Sequence, residues 1–269
     1  MKIIISHDID HLTAMEHKFD FIIPKFIVRN SIECMLGEIS ARALCLRLFS
    51  IFRNKWQNIE EIMEFDKSEA IPSTFFISVE RGRNLYYEDK IARIWMQKIL
   101  EKGFELGVHG IVFNKFDAIK YSFDKFRIMA GLKTYGIRIH YLNHNENTLT
   151  YLEKAGYLFD SSMVEEKNPY KIGNLWEFPL HIMDQNLIYG MGKFQRDNLF
   201  DIKERTKYRL DELFRKRIKF ASILFHDRYF DDSFSCWKDW YIWLVQYLKR
   251  NNFVFINYVN SIAEMKNGG

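Results

Sequence analysis

Four ionisable side chains follow the first apolar run of the chain, and their types and spacing suit metal-assisted or acid–base chemistry. The run Ile3–Ile5 is predicted to form a buried strand, and the side chains at its end are His7, Asp8, Asp10 and His11. Carboxylates two residues apart share one face of an extended strand, where they repel each other unless a cation or a proton lies between them. A helix N-cap at Asp10 is the alternative, but a cap needs one acid and no histidines. The cluster therefore predicts the edge of an active site.

The elements that must position this cluster are strands, and several of them also end in polar residues. His109 ends one predicted strand, Arg138 and His140 end another, and His226 follows a third. Because parallel α/β proteins place their chemistry at the carboxyl ends of strands, we expect these side chains to converge on one rim. The strands are predicted at residues 2–6, 73–78, 105–109, 136–140, 157–160, 175–182, 220–225 and 253–256.

Apolar residues with helical spacing occur in most of the intervals between these strands. Helices are predicted at residues 88–102, 116–131, 148–155, 201–218 and 237–250, and a last helix is predicted to close the chain. Residues 19–65 show no strand pattern and are apolar enough to form a lid over the rim or a subunit contact. The repeated order predicts a single α/β domain over residues 1–269, a parallel-strand barrel or a doubly wound sheet, with 19–65 as a helical insertion after the first strand.

Composition restricts the class of protein. Hydrophobic residues make up 48% and charged residues 28% of the chain, which is typical of a globular protein. The formal charge of +4 is spread along the chain without a basic stripe, which argues against nucleic-acid binding. The sequence shows neither an apolar stretch of transmembrane length nor a signal peptide, so we expect a cytoplasmic protein without a membrane span. Cys34, Cys45 and Cys236 lack Cys-x-x-Cys spacing, which argues against a disulfide framework or a zinc–thiolate site. The oligomeric state stays open.

Six short segments follow one another along the chain in a recognisable order. They are Asp-x-Asp at 8–10, Ser-Thr-Phe-Phe-Ile at 73–77, Gly-Val-His-Gly at 107–110, Gly-Ile-Arg-Ile-His at 136–140, Phe-Asp-Ser-Ser at 159–162 and Leu-Phe-His-Asp at 224–227. In these segments and their order, the chain resembles the polysaccharide deacetylases of carbohydrate esterase family four over about 1–12 and 70–260. The resemblance is strongest to the divergent deacetylase-like proteins of bacterial surface-polysaccharide gene clusters.

The resemblance implies a distorted (β/α) barrel that hydrolyses the N-acetyl group of a sugar with the help of a divalent metal. Zinc is the first choice of metal, with nickel or cobalt as alternatives. By position in the family motifs, Asp8 would be the general base and His226 the general acid. Asp10 and His109 would bind the metal, and Arg138 would orient the base. These residue types suit their roles, because a bound metal makes hydroxide available at neutral pH and an imidazolium can protonate a departing amine.

One departure from the family pattern concerns the metal ligands. The second motif normally has another histidine four residues after the first, where this chain has Phe113. A catalytic zinc typically has three protein ligands, and Asp10 and His109 supply two. We predict His140 as the third, because it ends the next strand. The alternatives are His144, Asn114, His7 and His11.

The leading prediction is a cytoplasmic metal-dependent deacetylase of bacterial O-antigen or capsule biosynthesis. Its substrate would be an N-acetylated sugar, in a nucleotide-linked or lipid-linked form. The first alternative, motivated by Phe113, is an inactive deacetylase-like protein that binds a glycan intermediate or a partner. A glycosidase that uses Asp8 and Asp10 ranks lower, because carboxyls two residues apart on one strand do not reach opposite sides of a glycosidic bond.

Overall fold

The computed structural model describes residues 1–189, 194–195 and 198–267. The strands are β1 (Lys2–Ile9), β2 (Thr74–Ile77), β3 (Glu105–Gly110), β4 (Ile137–Ile139), β5 (Phe159–Asp160), β6 (Tyr170–Ile172), β7 (Leu175–Glu177), β8 (Leu180–Met183), β9 (Phe220–Leu224) and β10 (Val254–Phe255). The helices are α1 (Ile22–Met35), α2 (Ala41–Phe52), α3 (Ile59–Ser68), α4 (Asp89–Glu101), α5 (Phe116–Ala130), α6 (Thr148–Ala155), α7 (Asp184–Ile188), α8 (Leu199–Arg215), α9 (Ser235–Arg250) and α10 (Tyr258–Asn267).

These strands form one curled sheet in the order β6-β7-β5-β4-β3-β2-β1-β9-β8, with β10 also beside β1. Within the described ranges, every strand pair is parallel except β6 and β7. Two strands pair with the same side of β1. Lys2 and Ile3 pair with β10, whereas Ser6 to Ile9 pair with β2. The predicted α/β fold, a distorted (β/α) barrel, is confirmed.

The curled sheet has an outer face under the helices and an inner face that lines the barrel. On β1, Ile3 and Ile5 belong to the outer core, whereas Ile4 belongs to a separate inner cluster. Tyr258 and Ile262 of α10 complete this inner cluster and close the barrel at the end where the strands begin. Its other fully or nearly fully buried members are Phe76, Phe159, Phe178 and Phe220.

Two glycines make room for aromatic rings inside the barrel. A Cβ atom added at Gly136 would lie 2.3 Å from the Phe159 ring, and one at Gly107 would lie 2.7 Å from the Phe76 ring. Carbon atoms in a packed interior do not approach that closely, so both rings depend on a missing side chain across the sheet. Arg138 stacks on Phe76 in turn, with 4.5 Å between its guanidinium carbon and the ring centre. The packing of the barrel floor therefore supports the rim.

We expect Gly136→Ala to lower the free energy of unfolding by about 1–3 kcal/mol, because the new methyl group displaces the Phe159 ring. Urea unfolding of the purified variant measures this loss. Adding Phe159→Leu should recover part of it, since the smaller side chain leaves room for the methyl group. A Gly136→Ala protein as stable as the wild type would contradict this packing.

Residues 19–65 and the three residues after them form helices with different surroundings. α3 packs into the outer core through Ile59, Ile62 and Met63, so it takes the place of the barrel helix that follows β1. Within the ranges that the structure describes, no helix combines the length and the apolar character needed to cross a membrane. α1, α2 and the residues at their ends lie farther out, and their exposed apolar side chains include Phe19, Phe21, Met35, Leu36, Phe49 and Phe52.

The single strand predicted at residues 175–182 is wrong. Two strands occupy this stretch, with β7 beside β5 and β8 beside β9. Pro179 separates them, because it has no N–H for a ladder hydrogen bond. Before it, the N–H of Phe178 donates to Asp160, and after it, the N–H of Leu180 donates to Met163. The apolar run therefore connects two separate parts of the sheet.

Candidate active site

The carboxyl ends of β1, β3 and β4 bring three potential metal ligands together at the rim. Asp10 Oδ1 lies 3.2 Å from His109 Nε2 and 3.4 Å from His140 Nδ1, and the two nitrogens are 2.9 Å apart. A tetrahedral zinc ion with ligands at about 2.0–2.1 Å separates its ligand atoms by about 3.3 Å. These three atoms, the metal-ligating group, therefore fit a divalent cation.

Hydrogen bonds on the far side of each imidazole leave its inward nitrogen free for a cation. His109 Nδ1 lies 3.2 Å from the carbonyl oxygen of Arg138, and His140 Nε2 lies 3.0 Å from that of Arg83. We assign a proton to each of these nitrogens, because a carbonyl oxygen can only accept. The inward nitrogens then carry lone pairs 2.9 Å apart, with no proton between them. A cation or an additional proton would relieve this contact.

The protonation states of the group also suit a metal. Burial lowers the pKa of His140 to about 4, so the imidazole is neutral at pH 7, as a metal ligand must be. Burial alone would raise the pKa of Asp10, but the adjacent His109 and the nearby imidazoles of His140 and His226 hold it well below its ordinary value. The group therefore offers one carboxylate and a neutral His140 imidazole.

A strained turn directs His140 into the site. The next two residues, Tyr141 and Leu142, have φ angles of 59° and 54°, in the left-handed region that side chains with a Cβ rarely adopt. Each such residue costs about 1–3 kcal/mol and persists only where its surroundings enforce it. The Tyr141 hydroxyl accepts a hydrogen bond from Asn84 at 2.5 Å, which ties the turn to the loop after β2. Such strain concentrates at functional sites.

Asp8 lies behind the metal-ligating group and is held by a buried arginine. Arg138 Nη1 donates to Asp8 Oδ1 at 3.0 Å and to Ser6 Oγ at 2.8 Å. Its other N–H groups donate to Ser161 at 2.9 Å and to the Tyr258 hydroxyl at 2.8 Å. Because every nitrogen of the guanidinium has a partner, the arginine fixes the direction of the Asp8 carboxylate.

His226 faces the metal-ligating group from the end of β9. Its Nδ1 lies 2.9 Å from Asp184 Oδ1, and its Nε2 lies 3.8 Å from Asp10 Oδ2. Burial alone would lower the pKa of His226, but the charge and hydrogen bond of Asp184 raise it to about 10. The imidazole is therefore protonated at neutral pH. One N–H donates to Asp184, and the other is directed towards the site.

Three alternative ligands do not join the group. His7 lies on the outer face of β1, where its Nε2 is 2.9 Å from Asp66 Oδ2 and its Nδ1 is 2.8 Å from the carbonyl oxygen of Phe225. Asn114 and His144 are exposed. His7 instead links β1 to α3, which explains why a histidine occurs next to Asp8 without sharing its face.

His11 belongs to a second polar cluster beyond the rim. Its Nδ1 lies 2.8 Å from His17 Nε2, and His17 Nδ1 lies 2.8 Å from Asp20 Oδ2. Glu16 Oε1 is 3.2 Å from His17 Nε2. His17 therefore has a carboxylate beside each of its ring nitrogens, and His11 contacts the nitrogen that faces Glu16. This cluster fixes the segment after β1 and engages His11 outside the metal-ligating group.

Asp184, Ser161 and Tyr258 support the site but were not predicted from the sequence as site residues. Asp184 directly follows β8, so the strand-end rule would have found it if β8 had been recognised as a separate strand. Ser161 lies in the motif at 159–162, but nothing in that motif alone indicates its contact with Arg138. Tyr258 carries no local signal, because it reaches Arg138 only through the packing of α10 into the barrel.

Two connected spaces open over the site. A pocket of about 160 Å³ is lined by Asp8, Asp10 and His226, and it shares Asp10, His140 and Tyr141 with an outer cleft of about 320 Å³. The outer cleft reaches α1 and α2, so the helical insertion forms one of its walls. A groove of about 700 Å³ between β8 and α8 contains none of these residues, so the chemistry belongs to the smaller spaces.

Glu177, at the end of β7, is a fully buried acid beside Asp160. Burial raises the pKa of Glu177 well above its ordinary value, and the negative charge of Asp160 raises it further. The folded chain therefore keeps a proton that the unfolded chain releases near pH 4.3, a value that is about the ordinary one for glutamate. Because the folded state then binds more protons, the free energy of unfolding falls as the pH rises above about 4.3.

We expect Glu177→Gln to flatten this pH dependence. The amide does not titrate, so the variant lacks the wild-type decrease in the free energy of unfolding, which is up to about 1.4 kcal/mol per pH unit. Urea unfolding between about pH 5 and about pH 9 compares the slopes. Glu101→Gln changes an exposed glutamate of α4 and should keep the wild-type slope. Parallel curves for Glu177→Gln and the wild type would show that Glu177 is not protonated in the folded state.

The comparisons with known proteins place this geometry in a known fold, although no family model and no curated protein matches the sequence. A Mycobacterium smegmatis protein assigned as a polysaccharide deacetylase superposes with a TM-score of 0.66 and 15% identity, over 98% of this chain and 89% of that chain. The chain has the polysaccharide deacetylase fold. Puue allantoinase shares it with a TM-score of 0.61 and 13% identity, over 96% and 87% of the two chains. A CE4 family pseudoenzyme from Bacillus anthracis gives 0.51 and 11%, over 96% of this chain and 64% of that chain.

The resemblance seen in the sequence is thus confirmed at the level of the fold. The three proteins that share this fold are described differently, as a deacetylase, an allantoinase and a pseudoenzyme. At identities of 11–15% the likeness establishes the fold alone, so the function has to be argued from the side chains of the site.

Proposed function

We propose that this protein is a metal-dependent hydrolase that removes an N-acetyl group from a sugar. One observation carries the proposal. The metal-ligating group of Asp10, His109 and His140 lies between a carboxylate held by an arginine and a protonated histidine held by a carboxylate. Amide hydrolysis needs both a base for the attacking water and an acid for the departing amine, and this arrangement supplies one of each. The deacetylase fold supports the same proposal.

Each proposed role belongs to a named side chain. A bound zinc, nickel or cobalt ion would polarise the acetyl carbonyl and lower the pKa of water. Asp8 accepts the proton of the attacking water, and Arg138 holds its carboxylate in line. His226 donates a proton to the amine nitrogen as the carbon–nitrogen bond breaks, while Asp184 holds the imidazole in place. The water oxygen joins the acetyl carbon, so the products are acetate and the free amine of the sugar.

The proposed setting is bacterial surface-polysaccharide biosynthesis in the cytoplasm, such as that of O-antigen or capsule. The resemblance of the sequence motifs to those of deacetylase-like proteins from bacterial surface-polysaccharide gene clusters supports this setting. The substrate is an N-acetylated sugar carried on a nucleotide or a lipid. Tyr141 is 59% exposed at the mouth of the outer cleft, where its ring suits stacking on a pyranose.

A second candidate is a protein of this fold that binds a glycan without hydrolysing it. Phe113 stands where the family has a second histidine, and a CE4 pseudoenzyme shares the fold. The purified protein would be assayed for bound metal and for acetate release from N-acetylated sugars. Ring opening of allantoin, measured separately, would test a non-sugar amide. We expect stoichiometric metal and acetate from at least one sugar. Asp8→Asn should stop the release and keep the metal. A metal-free protein that retains a sugar and releases no acetate would favour the second candidate.

A further inference from the structure

The outer cleft is lined by a guanidinium with one buried nitrogen that lacks an acceptor. Arg228 is stacked between Phe26 and Trp56, with its guanidinium carbon 4.6 Å and 4.1 Å from the two ring centres. Among the residues that the structure describes, no hydrogen-bond partner reaches its buried Nη2 atom. A buried charged nitrogen without an acceptor is costly, because it has lost its water and gained no replacement. The two aromatic rings hold this arginine in a fixed position, and its partly exposed side chain lines the cleft that an anion would enter.

The charge balance of the cleft also favours an anion. Glu33 pairs with Arg47 at 3.0 Å and with Arg29 at 3.3 Å, and all three side chains line the cleft. The other lining carboxylate belongs to the metal-ligating group. Lys25 on α1 and Arg228 line the same cleft and add two more positive charges. Among the residues that the structure describes, the lining of the cleft therefore has more lysine and arginine side chains than carboxylates.

We propose that Arg228 and Lys25 bind a phosphate group of the substrate, so that the substrate is a sugar phosphate or diphosphate. The planar fork of an arginine matches two phosphate oxygens, and a lysine adds a point charge. The cleft borders Asp10 and His140, so a phosphate bound there leaves the attached sugar beside the metal-ligating group. The substrate class rests on the proposed function, whereas the phosphate site does not. The proposal also gives the helical insertion a role in binding.

Calorimetric titration of the purified protein with inorganic pyrophosphate tests the site directly. We expect binding that Arg228→Gln weakens about tenfold or more, because a charge-assisted hydrogen bond is lost. Arg228→Lys should weaken it less, since it keeps the charge and loses the fork, and it serves as the test if Arg228→Gln does not fold. Lys102→Gln changes an exposed lysine outside the cleft and should bind like the wild type. Pyrophosphate that sat only on a bound metal would bind Arg228→Gln unchanged, which would overturn the proposal.

Further ligands define the chemistry of the anion and its carrier. Glucuronate binding more tightly than pyrophosphate would assign a carboxylate and reject the phosphate. N-acetylglucosamine linked to uridine diphosphate, or to a polyprenyl diphosphate in detergent, should bind more tightly than free N-acetylglucosamine, and the tighter of the two identifies the carrier. Equal binding of all three sugars would reject the proposal. Acetate release is scored separately, so phosphate-dependent binding without acetate would remove the proposed function and keep the phosphate site.

Discussion

His140→Gln is expected to weaken zinc binding by at least about 100-fold and to abolish acetate release. His140 Nδ1 is one of the three atoms of the metal-ligating group, 3.4 Å from Asp10 Oδ1. Without it two ligands remain, fewer than the three that a catalytic zinc typically has. Competition with a fluorescent zinc chelator measures the affinity, and circular dichroism checks that the variant is folded.

His144→Gln is the matched control for this experiment. His144 is an exposed histidine on the same loop, with its Nδ1 3.0 Å from the carbonyl oxygen of Leu142. This variant should bind zinc and release acetate like the wild type. The assignment of His140 as the third ligand would be abandoned if His140→Gln kept the wild-type zinc affinity. The absence of a histidine at Phe113 would then have no compensation among the residues discussed above.

Arg138→Met is expected to lower the free energy of unfolding by about 3–5 kcal/mol and acetate release by about 100-fold or more. Asp8 and Arg138 are 3% and 0% exposed, so removing the arginine leaves a buried carboxylate without its cation. The Asp8 carboxylate also loses the group that directs it to the attacking water. Urea unfolding and initial rates of acetate release measure the two effects.

The double variant Asp8→Asn with Arg138→Met separates the charge pair from general packing. Because it removes both charges, its loss of stability should be smaller than the sum of the two single losses. Arg127→Met is the control, since Arg127 is an exposed arginine paired with Asp124 at 3.3 Å, and it should cost less than about 1 kcal/mol. Additive losses in the double variant would mean that the charge pair contributes nothing specific.

The parallel core of the fold could be predicted because its strands are short apolar runs that end in polar residues. β1, β2, β3 and β9 all fit this pattern, since both of their faces are buried. The region around β7 and β8 could not be predicted in the same way. The apolar character of residues 175–182 is continuous, and only the tertiary pairing on either side of Pro179 shows that the stretch serves two separate parts of the sheet.

The site residues could be predicted where an ionisable side chain stands at the end of a strand that is recognisable in the sequence. Asp8, Asp10, His109, His140 and His226 are brought together as the rule of strand ends suggests. The supports of these residues were not predictable, because each comes from an element remote in sequence. Whether His7 or the adjacent Asp8 faces the barrel also depends on register, since a shift of one residue exchanges the inner and outer faces of a strand.

The guanidinium that aligns Asp8 also depends on Tyr258, in the helix that closes the barrel floor. Asp8 and Tyr258 are 250 residues apart in the sequence. A nascent chain that stalls on the ribosome before residue 258 would already contain every proposed catalytic side chain, yet Arg138 would lack one of its anchors. Activity would then arise only after α10 has been translated and has packed into the barrel, and chains that end before residue 258 would be poor catalysts even with an intact rim.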